Sequence, residues 1–195
     1  QLVAPALRRA YSAAKRAIEI VEFLDTPSGH LQKGDLILKS AEFEFSKLIK
    51  AGTLPGFDAA WEDYTLPTGK HLVMRTRRAR FTINQVPSIS SKPRYATFRA
   101  NFGASNTAYL FPEMNEEAKR EDERRHLVLL HGYHDLVHAA IGMPHPTRNR
   151  LIARTDNLLE LPANDFGTAP PPEGPTEPPD LEAIEDLVRV VRDTK

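Results

Sequence analysis

The sequence contains no cysteine. Disulfides, thiolate zinc sites and cysteine nucleophiles are therefore excluded, so a metal ion would have to be held by His, Asp or Glu. The sequence also has no run of roughly 18 apolar residues, which is the length that a membrane-spanning helix needs. We therefore expect a globular chain without a membrane span.

Acidic and basic residues are unevenly divided along the chain, although the formal net charge is zero. Residues 1–110 contain 16 Lys and Arg against 9 Asp and Glu, whereas residues 111–195 contain 10 against 17. The halves thus carry +7 and −7, and they could dock on neighbours of either charge. Overall neutrality argues against a dedicated nucleic-acid binder, so other protein subunits are the expected partners.

The N-terminal 18 residues are basic and rich in alanine, with no acid before Glu19. This composition is typical of a mitochondrial transit peptide or of the residues next to its cleavage site. The alternative is an ordinary helix, because the apolar spacing predicts a helix from Pro5 to Leu24.

Helical patterns dominate the rest of the first 161 residues, so the expected fold class is mainly α, a single multi-helix domain. Residues 71–86 alternate only in part and predict a strand or an extended segment. The longest expected helix ends at Gly142 and Pro144, which are typical stop residues. The helices predicted after the first are Asp35–Lys50, Tyr95–Asn101, Glu116–Ile141 and a short, charged one in Leu151–Leu161.

The C-terminal region has a different composition. Residues 162–179 contain seven prolines and little apolar periodicity, which is typical of a linker or an extended strap. A short amphipathic helix is predicted after it. The expected organisation is a helical domain in residues 1–161, a proline-rich arm in 162–180 and a terminal helix in 181–195.

The densest basic run lies at residues 75–80. It could hold RNA phosphates or anionic lipid headgroups. A solvated basic face, or one that pairs with the acidic second half of the chain, is the alternative. The run consists of Arg75, Arg77, Arg78 and Arg80.

Three histidines and an aspartate recur at helical spacing within the longest predicted helix. On a helix, His131, His134, Asp135 and His138 would share one face. His134 and His138, one turn apart, would present two imidazoles to one divalent ion, and Asp135 could be a further ligand or could hold a ring N–H. The alternative is that the histidines are satisfied core residues.

The stretch His134–Pro144, HDLVHAAIGMP, resembles the signature of the coenzyme Q biosynthesis Coq-four family. The resemblance implies a mostly helical protein on the matrix side of the mitochondrial inner membrane, which processes the coenzyme Q headgroup or organises other biosynthetic proteins. In that family eleven residues and then a Glu follow the second His of the motif, but here that position is Arg150. The metal site that the resemblance implies would therefore lack one carboxylate.

These observations predict a degenerate, non-catalytic accessory subunit of a large mitochondrial inner-membrane complex, such as a respiratory complex or the ATP synthase. No cofactor is expected, and anionic lipid is a further candidate partner. The first alternative is a coenzyme Q biosynthesis enzyme with a divalent Zn or Fe ion on His134, Asp135 and His138, acting on a quinone precursor. The second is a protein associated with the mitochondrial ribosome, in which Arg75–Arg80 touches RNA.

Overall fold

The computed structural model describes residues 2–64, 69–106, 124–148 and 150–161 of the 195 in the chain. These ranges contain a six-stranded mixed sheet and four α-helices, so the fold is α/β and the prediction of a mainly α protein is wrong. Within the described residues, no helix is long and apolar enough to cross a membrane.

The elements alternate between helical and strand regions. The helices are α1 (Val3–Ile20), α2 (Pro27–His30), α3 (Lys33–Lys50) and α4 (Thr97–Gly103), with 3-10 turns at Glu22–Leu24 and Ala104–Asn106. The strands are β1 (Asp58–Asp63), β2 (Lys70–Arg75), β3 (Ala79–Gln85), β4 (Arg125–His131), β5 (Ala139–Pro144) and β6 (Leu151–Arg154). The predicted helices that begin at Pro5, Asp35 and Tyr95 are confirmed with small shifts, and residues 71–86 form two strands rather than one.

The strands lie in the sheet in sequence order, and one neighbouring pair is parallel. β3 and β4 run parallel in register from Ala79 opposite Arg125 to Gln85 opposite His131, whereas all other neighbours are antiparallel. A parallel pair requires the chain to cross back over the sheet. The crossover carries α4, which packs on the sheet face opposite α1 and α3.

The hydrophobic core lies between the sheet and the pair α1 and α3. Helix α1 buries alanines and one leucine, Leu7, and such small side chains let α3 approach closely. Alternate apolar residues of the strands pack against these helices. Each large side chain that is fully buried stabilises the folded state by about 1.5–3 kcal/mol. The largest of this cluster are Leu7, Phe45, Leu72, Met74, Ile83 and Leu129.

A buried carboxylate joins α3 to the sheet. β2 and β3 pair only at Met74 and Arg75, so the N–H of Leu72 has no partner strand on that side. Glu42 Oε1 accepts a hydrogen bond from this N–H at 3.1 Å, while Oε2 accepts one from Lys39 Nζ at 3.2 Å. Burial raises the pKa of Glu42 above its usual value. Glu42 thus supplies the hydrogen-bond acceptor that the Leu72 N–H lacks where β2 and β3 diverge.

The region expected to be the longest helix is a β-hairpin in its described part. β4 and β5 flank a turn at residues 132–138, which Gly132 N closes by donating to His138 O at 3.2 Å. A Cβ on Gly132 would lie 1.9 Å from the Asp135 carbonyl oxygen, so the turn requires glycine. Two apolar runs, Leu127–Leu130 and Ala139–Pro144, flank a polar, glycine-containing turn, which is typical of a hairpin. The helical prediction is therefore wrong here, and the first part of the predicted helix, residues 116–123, lies outside the described residues.

The segment after the hairpin also differs from expectation. Leu151–Leu161, predicted to be a short charged helix, forms β6 and then a turn at residues 158–160. Leu158 N donates to Ala139 O at 2.7 Å, so this turn packs back on β5. The proline-rich arm at 162–180 and the terminal helix at 181–195 lie outside the described residues.

The bond from Leu72 to Glu42 predicts a difference between two substitutions. Glu42→Ala leaves a buried N–H without an acceptor, and we expect it to lower the free energy of unfolding by about 1–3 kcal/mol. Glu42→Gln keeps an acceptor at Oε1, and we expect it to lower the free energy of unfolding much less. Urea denaturation at pH 7 measures both, and equal losses would contradict this role.

The hairpin predicts that Gly132→Ala is destabilising by about 2 kcal/mol or more, because the new Cβ collides with backbone. In a helix the same change would stabilise the protein by about 1 kcal/mol. Gly34→Ala in α3 is the matched control, since its Cβ would meet only the end of the Gln85 side chain at 3.4 Å. A higher melting temperature for Gly132→Ala would contradict the hairpin.

Candidate functional site

The four residues predicted to hold a metal lie at the β4–β5 hairpin. His131, the last residue of β4, is buried against α1, where its Nδ1 lies 2.8 Å from the hydroxyl of Tyr11. That hydroxyl also donates to Gly132 O, so its single proton is used and Nδ1–H of His131 is the donor to Tyr11. His131 is therefore a core residue that ties β4 to α1.

The other three residues occupy the turn. His134 and Asp135 are exposed, and Asp135 Oδ1 lies 3.9 Å from Lys33 Nζ. His138, the last residue of the turn, is buried, and its Nε2 has no hydrogen-bond partner among the described residues. The turn therefore separates side chains that a helix would have aligned.

The predicted ligand set is not assembled in the described residues, where no three His, Asp or Glu side chains group as metal ligands. Arg150, which stands where the resembled family has a Glu, follows the other end of β5. Six residues of strand separate that end from His138, which is about 20 Å. Arg150 therefore does not face these histidines.

The sheet face covered by α4 is formed largely from an interval of the chain that has basic residues and no acidic ones. The chain has no Asp or Glu from residue 64 to residue 112. Its eight basic residues in that interval are Lys70, Arg75, Arg77, Arg78, Arg80, Lys92, Arg94 and Arg99. We call this surface, formed by Arg75–Arg80, by α4 and by residues 92–96 before it, the basic face.

The predicted arginine run lies at one end of the basic face. Arg75 in β2 pairs with Glu62 of β1, and the Arg80 guanidinium lies 4.2 Å from the ring centre of Phe102 in α4. Arg77 and Arg78 are in the β2–β3 turn and are exposed, and no described carboxylate forms an ion pair with either one. Two of the four arginines are thus available to a polyanion.

A hydrogen-bond network holds α4 on the sheet. Arg99 Nη1 donates to Asn84 Oδ1 at 2.6 Å, and Asn84 Nδ2 donates to Thr82 Oγ1 at 3.3 Å. Thr82 Oγ1 in turn lies 3.1 Å from Nε2 of His126, a fully buried residue of β4. The Arg99 guanidinium also lies 4.8 Å from the ring centre of Phe98. These contacts fix the position of Arg99 on the basic face.

Asn106 anchors the end of the 3-10 turn after α4. Its side chain donates to the carbonyls of His126 and Pro144 at 3.0 and 2.9 Å and accepts from His126 N at 2.9 Å. The side chain is fully buried and bridges β4 and β5 beyond their last paired residues. One amide thus attaches the crossover to both strands.

A cleft opens between the segment before α4 and the loop after β5. It encloses about 110 Å³ and is lined by Lys92, Arg94, Tyr95, Arg99 and His145, with no carboxylate. Lys92 Nζ crosses it and donates to His145 O at 3.1 Å and to Arg148 O at 2.8 Å. The cleft is therefore bounded by cations and closed at one side by a lysine.

Two tyrosines lie beside these cations. Tyr95 lines the cleft and is 83% exposed. Tyr133, in the hairpin turn, lies 5.7 Å from the Arg94 guanidinium carbon. Exposed aromatic rings among arginines are the usual platform for stacking unpaired bases.

Buried histidines beneath α4 and α1 are held neutral. Burial lowers the pKa of His126 to about 3, and the positive charges of Arg80 and Arg99 lower it further. Burial, with the nearby His138, lowers the pKa of His131 to about 3. Burial and Arg99 lower the pKa of His71 to about 4. These groups act as uncharged packing and hydrogen-bonding residues at neutral pH.

The sequence pattern identified the Arg75–Arg80 run but not the cleft. His145 is 46 residues after Arg99 in the chain, and the fold brings it to the cleft beside Lys92 and Arg99. The readable signal was the absence of acid over residues 64–112, which marks a surface of one charge. No family model, no curated protein and no solved structure matches this chain.

The neutral histidines predict a loss of stability in acid. In the unfolded chain a histidine has a pKa of about 6.5, so below that pH the unfolded state binds protons that folded His126 cannot. Stability is full above pH 6.5 and falls towards pH 3, by about 2 kcal/mol for His126 at pH 5. In His126→Gln, the difference in unfolding free energy between pH 7 and pH 5 should shrink by that amount.

The control is His134→Gln, which makes the same replacement at an exposed position. Urea denaturation at the two pH values measures the difference for each variant. An unchanged pH dependence in His126→Gln would show that His126 is not a buried neutral group.

Proposed function

We propose that this protein is a non-catalytic binding subunit that holds single-stranded RNA on its basic face. The observation that carries the proposal is the gathering of cations from β2, β3, α4 and the loop before it onto one surface, in an interval without acid. A row of Lys and Arg that neutralises phosphates supplies most of the affinity of such binding, regardless of base sequence.

The overall neutrality of the chain does not oppose this proposal, because its charges are segregated. All nine acidic residues among the first 110 lie at or before Asp63. Of those, Glu42 is buried, and Glu62 is the one that pairs with an arginine of the basic face. Counting the charges of the described residues, the local field over the basic face is positive, and the local field determines whether a polyanion is attracted.

Exposed tyrosines favour a single strand over a duplex. A duplex keeps its bases stacked inside, whereas an unpaired strand can place a base on Tyr95 while its phosphates contact Arg94 and Arg77. Base stacking on an aromatic side chain contributes about 1–3 kcal/mol. Binding should therefore be sequence-tolerant but selective for unpaired strands.

The proposal is a broader form of the alternative in which Arg75–Arg80 of a ribosome-associated protein touches RNA. An accessory role in a larger assembly is compatible with such a binding surface. Location on the matrix side of the mitochondrial inner membrane, and membership of a respiratory complex or the ATP synthase, stay predictions.

The exposed turn arginines provide the test. In Arg77→Gln/Arg78→Gln, we expect weaker binding of a 12-nucleotide single-stranded RNA and a salt slope, d log K/d log[salt], that is smaller by about 1.4, at about 0.7 for each lost phosphate contact. Fluorescence anisotropy between 50 and 200 mM salt measures both quantities. The control, Arg8→Gln/Lys47→Gln, removes the same charge from exposed positions of the helical layer.

Equal effects of the two double variants would contradict binding through the basic face. A wild-type protein that binds vesicles rich in anionic lipid but no single-stranded RNA would contradict the RNA proposal itself. A duplex of the same sequence should bind less tightly than the single strand.

A further inference from the structure

The cleft beside α4 has the composition of an oxyanion site. We infer that it binds a phosphate monoester, supplied by the 5′-phosphate at the end of a single-stranded RNA. The inference names a terminal group and a cleft of its own, separate from the turn arginines that contact phosphates along the strand. That the phosphate comes from a strand end depends on the proposed function.

Hydrogen-bond donors without acceptors remain on two of the cleft residues. The Lys92 ammonium has three N–H groups, of which two reach carbonyl oxygens. The Arg99 guanidinium has five, of which three are used, one to Asn84 and two to Arg94 O. Among the described residues, one donor of Lys92 and two of Arg99 are therefore left for a ligand.

His145 adds a fourth donor because its tautomer is fixed. Its Nδ1 accepts hydrogen bonds from the backbone N–H groups of Thr147 and Arg148, both at 3.1 Å. A ring nitrogen that accepts carries no proton, so the proton of the neutral ring is on Nε2. His145 lines the cleft, and Nε2–H is its remaining donor.

The charge of the cleft favours a terminal phosphate. A phosphate monoester carries −1.5 to −2 charges and three terminal oxygens, whereas a diester within a strand carries one charge and two such oxygens. The four donors and the absence of a carboxylate match the monoester.

Tyr95 offers a stacking surface for the base next to that phosphate. Its exposed ring lies at the same cleft, so a terminal base could stack on it while the 5′-phosphate occupies the donors. A strand end would thus be held by charge on one side and by stacking on the other. Hydroxyl-ended strands would keep the stacking and lose the charge contacts.

His145→Asn removes the proposed donor with little change to the loop. An asparagine amide oxygen can accept from Thr147 N and Arg148 N in place of Nδ1, but it has no group at the position of Nε2. We expect the wild-type full chain to bind a 5′-phosphorylated 12-nucleotide RNA about tenfold more tightly than the 5′-hydroxyl form. We expect His145→Asn to reduce that ratio to about 1–3.

The matched control is Arg77→Gln, which lies in the β2–β3 turn. It should weaken the binding of both RNAs by the same factor and keep the tenfold ratio between them. Fluorescence anisotropy with the two RNAs, at one salt concentration, measures all three proteins. Equal affinity of wild-type protein for the two RNAs would overturn the terminal-phosphate site while leaving the proposed RNA function in place.

Inorganic phosphate distinguishes a strand end from a small phosphorylated molecule. At millimolar concentration it should raise the melting temperature of wild-type protein more than sulfate at equal ionic strength, and it should have no such effect on His145→Asn. If this difference is found but neither RNA binds, the oxyanion site stands and the proposed function fails. If phosphate and sulfate act alike and the RNAs bind equally, the site itself is refuted.

Discussion

The parallel pairing of β3 with β4 is the constraint on which the rest of the structure depends. Antiparallel neighbours need only a short turn, but this pair requires the chain to travel back along the sheet before β4 can begin. The return segment carries α4 to the face opposite α1 and α3 and ends at Asn106, which bonds to both β4 and β5. Without that crossover, the sheet would have one covered face and the basic residues would not be gathered.

The two faces of the sheet are stabilised by different physics. Under α1 and α3 most contacts are apolar, and two of the buried polar side chains there, Glu42 and His131, each bond to a neighbouring element. Under α4 the contacts are polar and aromatic, with Arg99 connected through Asn84 and Thr82 to His126. Fixed hydrogen bonds on this side leave the outer donors oriented before a ligand arrives, which lowers the entropy lost on binding.

Amphipathic helices were predictable, and so were their approximate ends, because one apolar stripe at helical spacing has a single structural meaning. The hairpin was not predictable, because β4 is buried on both faces. Its continuous apolar run, Leu127–Leu130, fits a buried helix equally well. Gly132 was the residue that distinguished the two. His131, His134 and His138 share one face only if the segment is a helix. The metal-site hypothesis therefore depended on the same wrong assignment of secondary structure. The basic run at Arg75–Arg80 needed no such assumption, whereas the cleft arises from long-range pairing that no local pattern contains.

The central claim is that one face of this sheet binds single-stranded RNA and the helical face does not. Amide chemical-shift mapping by NMR, with the RNA titrated into ¹⁵N-labelled protein, tests it most directly. The account predicts perturbations concentrated at residues 75–80, 92–99 and 145–148, with the exposed sides of α1 and α3 unaffected. Perturbations confined to α1 and α3, or none at saturating RNA, would contradict it.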